Sequence, residues 1–338
     1  MTTIKNPSWL PPTSDEPRDG PSVPATVEYH RVLAGDKRRI GRGIFAIFLL
    51  AVGLVIFPTA IGRAAALIDV QMGKTPPILG GTDYTPLSHA SSMIALGLLI
   101  PWSMVIQRWL YGVPGASLHS VTSRFRFDLL GRSLLFLGPA WLVANAVPAL
   151  TPGDEFPWSH FDLIALFVAT VLFTPLQSAG EEYGVRGLIF RVVGSWTRNR
   201  RAGLVAGVLV SSLLFTAVHG ATDPYIIVWY FTLATGLAVI TWRTGGLEIA
   251  VMLHAALNTF TFLLALVLHV DLGTATQDRS AGTGTPYLLV PTLTVVVITA
   301  VVWWRTRRSG PVRTAGPDQP SPLSNFPISA PGPDAVSR

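Results

Sequence analysis

Three pairs of side chains in the second half of this sequence have the types and spacing to do chemistry. Glu181 and Glu182 are adjacent, with Arg186 following; Phe215 precedes His219 by four residues, and His254 precedes Asn258 by four. Adjacent residues on a helix point about 100° apart, so the two carboxylates cannot do the same job. Glu182 and Arg186 stand at i,i+4 in the favourable order for an ion pair, which leaves Glu181 free to face elsewhere. His254 and Asn258 share one helical face, and Ala255 and Ala256 between them let another backbone approach. The set supplies a carboxylate for acid–base work, two imidazoles, a carboxamide and a guanidinium. Each member has a plainer explanation. The glutamates would be solvated at a membrane interface with Arg186 as an anchor, His219 would be a packed residue, and His254 with Asn258 a hydrogen bond between helices. The argument for function is their conjunction inside apolar runs, because a charge at the bilayer centre costs roughly 2.5–3.5 kcal/mol on the insertion scale.

The elements that must position these groups are membrane helices. The chain has 338 residues, is 49% hydrophobic and 13% charged, and has a mean hydropathy of +0.46. Soluble domains carry about 25% charged residues, so an ordinary soluble enzyme and a disordered chain are both excluded. The absence of cysteine excludes disulfides, thiolate metal sites and a cysteine nucleophile. A net charge of +6 would suggest nucleic acid in a soluble protein. Here the basic residues flank apolar runs, so lipid headgroups and orientation account for them and no nucleic-acid partner is expected.

Apolar runs long enough to span lie near 41–61, 91–110, 130–150, 161–180, 203–219, 225–242, 247–270 and 286–304. Lys37, Arg38, Arg39 and Arg42 precede the first, and Arg305, Arg307 and Arg308 follow the last. Arg124, Arg126 and Arg132, then Arg191, Arg198, Arg200 and Arg201, then Arg243 mark the inside loops between them. The expected fold is therefore an all-α, polytopic membrane bundle of about eight helices in the cell membrane, with both termini cytoplasmic. Residues 1–36 and 309–338 are polar and rich in Pro and Ser and read as disordered tails around one transmembrane domain, 37–308. Residues 182–200 would either extend the fourth span or lie along the interface as an amphipathic helix.

Taken in order, Glu-Glu-x-x-x-Arg (Glu181, Glu182, Arg186), Phe-x-x-x-His (Phe215, His219) and His-x-x-x-Asn (His254, Asn258) resemble the motifs of the CAAX protease and bacteriocin-processing (CPBP) family of intramembrane endopeptidases. The resemblance covers roughly 160–270 and matches all three motifs. It implies hydrolysis of a peptide bond in a membrane-associated protein or peptide. Glu181 is then similar to the family's general base, His219 to a holder of the same water, and His254 and Asn258 to oxyanion donors. Glu182 and Arg186 would support the arrangement.

No organic cofactor follows. Glu181, His219 and His254 could bind Zn2+ with one position open, but that would leave Glu182, paired with Arg186, as the spare base, which favours a metal-free glutamate mechanism. A rhomboid-type serine protease would need a Gly-x-Ser loop that Ser178, Ser211 and Ser212 lack. A proton-coupled transporter would need matching broken helices, and no internal repeat is present. A non-catalytic immunity or scaffold protein is the remaining alternative. Oligomeric state is not legible. Depth poses one difficulty: helix rise puts His254 roughly 16 Å from Arg243 and Glu181 roughly 15 Å from Arg191, but His219 roughly 27 Å from Arg201.

Overall fold

The computed structural model describes residues 23–150 and 155–316, apart from the side chains of 275–277. Its α-helices run in chain order as α1 (Ile40–Gln71), α2 (Pro86–Gly97), α3 (Leu99–Tyr111), α4 (Phe127–Ala146), α5 (His160–Glu182), α6 (Phe190–Gly194), α7 (Arg200–Val218), α8 (Pro224–Thr244), α9 (Glu248–Val267), α10 (Leu272–Gln277) and α11 (Leu289–Thr306). A π-helical segment, Tyr183–Ile189, joins α5 to α6 without a break. No β-strand occurs among the described residues. Among the described residues eight stretches are long and apolar enough to cross a membrane, and they coincide with the eight apolar runs of the sequence. The protein is a multi-pass, all-helical membrane bundle.

Proline and glycine shape the spans that matter for the site. Pro101 has no N–H to offer the carbonyl of Gly97, and the helix pauses there, at Leu98, between α2 and α3. α5 packs against α2 and α9, α9 also packs against α4, and α8 lies between α7 and α11. The α2–α5 crossing is backbone-close: a Cβ on Gly180 would stand 2.0 Å from the carbonyl oxygen of Leu96. On the far side of α9 the fully buried Trp141 donates from Nε1 to the carbonyl of Leu253 at 2.8 Å and lies 6.0 Å from the Trp229 ring.

Residues 182–194 continue the fourth span, the first of the two arrangements the sequence allows. From Glu182 to Gly194 all but Val185 are buried.

The tail assigned to 1–36 differs from the structure where it is described. Glu28, Tyr29, His30, Val32 and Leu33 are buried. Glu28 pairs in a β-bridge with Arg313, and its carboxylate accepts from Trp242 Nε1 at 2.9 Å and meets Arg200 Nη1 at 3.1 Å. Residues 1–22 and 317–338 of the two assigned tails lie outside the described residues. The bridge brings both flanks of the bundle to one end.

Two arginines expected in inside loops are instead buried. Arg191 donates to Ser117 O at 2.6 Å and stands 3.9 Å over the Tyr29 ring. Arg243 donates from Nε to Thr306 Oγ1 at 2.8 Å. Arg126 holds the buried Glu248 at 2.8 Å. Polar acceptors within the fold replace water for these cations.

Candidate active site

The α-to-π transition places the double glutamate. Glu181 and Glu182 close α5, and Arg186 falls within the π segment. A π turn widens the helix and turns the following residues to a different face, so Glu181 can line a cavity while Arg191 faces Ser117.

Glu182 and Arg186 are fully buried, with Nη1 to Oε1 at 3.0 Å. The Arg186 guanidinium sits 4.3 Å from the Phe215 ring centroid, where the ring face favours a cation. His254 stands between the two carboxylates, its Nδ1 2.7 Å from Glu182 Oε1 and its Nε2 3.5 Å from Glu181 Oε2. Glu182 is doubly engaged on Oε1, so Nδ1 of His254 is the donating nitrogen in that contact. The other nitrogen and Glu181 Oε2 then share a single proton if this buried group is to be neutral. Either Glu181 carries it, or His254 does and both ions of the Glu181–His254 pair are present beside Glu182 and Arg186. The 3.5 Å separation exceeds a normal hydrogen bond, and Glu181 Oε2 has no hydrogen-bond partner among the described residues.

Gln177 fixes the other oxygen of Glu181. Its Nε2 donates to Glu181 Oε1 at 2.6 Å, and its Oε1 accepts from Asn258 Nδ2 at 3.0 Å and Ser178 Oγ at 3.0 Å. Asn258 Nδ2 also reaches Ser178 Oγ at 3.2 Å. Its amide is thus committed to α5. Gln177 belongs to no motif, although its place four residues before Glu181 is a helical spacing that would flag it.

His219 ends α7 as its C-cap. Its Nδ1 lies 2.7 Å from the carbonyl of Phe215; a carbonyl only accepts, so Nδ1 carries the hydrogen and Nε2 of the neutral ring is an acceptor. The ring makes tilted contacts with Phe215 at 4.5 Å and Tyr230 at 4.2 Å, and Phe215 in turn lies 5.9 Å from His254. The structure therefore brings His219 to the same cluster as Glu181 and His254.

Glu181, Phe215 and His219 line one cavity of about 350 Å3, whose walls come from α1, α2, α3, the π segment and α7. Leu50, Leu99, Leu214 and Val218 make it largely apolar. Arg279, from the segment between α10 and α11, also lines it; no motif pointed to that residue. A larger cavity of about 600 Å3 between α1, α2 and α5 holds none of the motif residues.

Zinc is the metal that the resemblance raises. Among the described residues no three His, Asp or Glu side chains gather as a ligand set. The side chains as placed gather no three-ligand zinc set, although each imidazole has Nδ1 bonded, His219 to a carbonyl and His254 to Glu182, and keeps Nε2 open. What they fit is a carboxylate held at one oxygen, with its other oxygen beside an imidazole and its cavity shared with a second imidazole.

No curated protein and no solved structure matches the chain. Residues 160–260, which carry all three motifs, match the family model of the Rce1-like type II CAAX prenyl endopeptidases, consistent with an intramembrane endopeptidase of the CPBP kind.

Proposed function

We propose that this protein is an intramembrane endopeptidase that hydrolyses a peptide bond of a membrane-associated protein or peptide with a water activated by Glu181. The observation that carries the reading is the environment of Glu181. It lines an apolar cavity with His219, is anchored through Oε1 by Gln177, and has its other oxygen next to His254. With the shared proton on His254, Glu181 is a free base. A water between Glu181 and the Nε2 lone pair of His219 gives its proton to Glu181, the hydroxide attacks the carbonyl carbon, and Glu181 returns the proton to the leaving amine.

The tetrahedral oxygen needs a donor. His254 in its protonated form supplies Nε2–H once a substrate carbonyl takes the place of the loose 3.5 Å contact with Glu181. Asn258 supports the same centre through Gln177. The scheme uses only this chain's own groups and needs no metal.

The test is cleavage of a peptide library by full-length purified protein. Glu181→Gln should lower kcat by about 10²–10⁴-fold, the usual contribution of a general base, without shifting the melting temperature. Full activity in that variant, or activity abolished by chelation in the wild type, would overturn the scheme.

We further assign the end of the bundle that holds Glu28 and Arg313 to the cytoplasm, from the arginine bias of its loops. His219 is 19 residues along from Arg200, roughly 28 Å by helix rise, so the cavity's His219 end faces the opposite side. The chain has no cysteine, so single Ser280→Cys and Arg198→Cys variants can be labelled in intact cells with an impermeant maleimide. Labelling of position 280 alone is expected; labelling of position 198 alone would reverse the orientation.

A further inference from the structure

We propose that Arg279 receives a carboxylate of the substrate and makes this cavity selective for peptides carrying one close to the bond that is cut. The proposal rests on the peptidase reading for the source of the carboxylate. Its own support comes from how Arg279 is placed.

Among the described residues, Arg279 is the only Lys or Arg side chain lining the cavity that holds Glu181 and His219. It is half-buried, and no carboxylate lies within 4.0 Å of it among the described residues, whereas Arg186 and Arg126 each have one. Its backbone is fastened. Thr222 N donates to Arg279 O at 3.0 Å, and Gly282 N donates to Asp223 Oδ2 at 2.9 Å, the carboxylate whose other oxygen caps α8 at Tyr225 N. Two of its nitrogens are aimed by neighbours: Nε donates to Tyr230 Oη at 3.0 Å, and Nη1 reaches the carbonyl of His219 at 3.4 Å. The Tyr230 and His219 rings are themselves in tilted contact at 4.2 Å, so the guanidinium is set against the aromatic wall next to the proposed water site. Nη2 has no hydrogen-bond partner among the described residues.

A guanidinium has five N–H donors in a fixed fork that matches a carboxylate. In an apolar cavity a cation with unused donors attracts an anion far more strongly than it would in water. A peptide offers that anion in two forms, its terminal carboxylate or an Asp or Glu side chain, and the chemistry at Arg279 is the same for both.

The experiment separates this proposal from the peptidase reading by measuring binding without turnover. Full-length protein carrying Glu181→Gln is titrated in detergent with three probes. These are dansyl-valyl-leucyl-valine with a free carboxylate, the same peptide as its carboxamide, and dansyl-valyl-glutamyl-valine carboxamide. The expected result is that one or both anionic probes bind at least tenfold more tightly than the neutral carboxamide. That preference disappears when Arg279→Gln is added and is largely kept with Arg279→Lys. The tighter of the two anionic probes identifies the source of the carboxylate. Equal binding of all three probes, no binding of the anionic ones, or a preference that persists in Arg279→Gln would overturn the proposal. Arg279→Lys retains the charge and reports on folding should the Gln variant be unstable. Peptide cleavage by the protein with native Glu181 is scored separately, so a lost peptidase reading and a lost carboxylate site give different results.

Discussion

At the scale of single residues the site is a chain of charges that depend on one another. Arg186 holds Glu182, Glu182 holds His254, and His254 stands next to Glu181. Removing one partner of a fully buried ion pair leaves an uncompensated charge, which costs about 3–5 kcal/mol. Arg186→Met should therefore lower the melting temperature sharply as well as activity, whereas Glu181→Gln should affect activity alone. Adding Glu182→Gln to Arg186→Met should recover part of the lost stability, because replacing both members of a buried pair is far less costly than replacing one. Thermal melting of the three variants, followed by intrinsic fluorescence, checks this order. A pair that only decorated the surface would give no such difference.

At the scale of elements, the position of Glu181 is set by how closely α5 can approach α2. Gly180 makes that approach possible, since a Cβ there would lie 2.0 Å from Leu96 O. Gly180→Ala must push the two backbones apart one residue from Glu181. Overpacking of this kind costs about 1–3 kcal/mol, and the displacement should lower kcat more than stability explains. Gly131 in α4 is the control. A Cβ there meets nothing within 4 Å, so Gly131→Ala should stabilise by up to about 1 kcal/mol through helix propensity and leave kcat alone. Parallel melting and cleavage assays separate the two outcomes. The π segment is the second device of this scale. It lets one continuous span present Glu181 to the cavity and Arg191 to Ser117.

At the scale of the whole molecule, the two chain flanks close one end of the bundle. Glu28 links the N-terminal flank to Arg200, Trp242 and Arg313, and Tyr29 donates to Leu118 O at 2.6 Å. His30 is buried against Phe190 at this junction. Its Nε2 donates to the carbonyl of Arg200 at 3.2 Å. Burial pushes its pKa down from 6.5 to about 4, and the Arg200 carbonyl and Glu28 oppose that shift only in part. The folded state thus keeps His30 neutral while the unfolded chain takes up a proton below about pH 6.5. Its contribution to stability is complete above that pH and is lost progressively as pH falls towards 4, by about 3 kcal/mol in all. His30→Phe, which keeps a ring against Phe190, should flatten that part of the stability-versus-pH curve between pH 4 and 6.5. Melting temperatures across that range measure it.

The sequence alone determined the parts of this protein that depend on neighbouring residues. Hydropathy and run length are local, and the eight spans appear in the structure where the apolar runs lie. The i,i+4 pair of Glu182 and Arg186 is also local, and it forms as its spacing requires. Tertiary structure decided what distant segments do to one another. That Arg191 and Arg243 are buried rather than solvated depends on Ser117 and Thr306, residues far away in the chain that accept their hydrogen bonds. The same holds for Glu28 and His30, polar residues in a stretch that reads as a tail until Trp242, Arg200 and Phe190 are seen around them. Asn258 meets Gln177 across 81 positions, and Arg279 reaches His219 from a segment that carries no motif. Periodicity cannot report such pairs, because a polar side chain is stabilised by whichever partner the packing of helices brings to it, and that partner is not a neighbour in sequence.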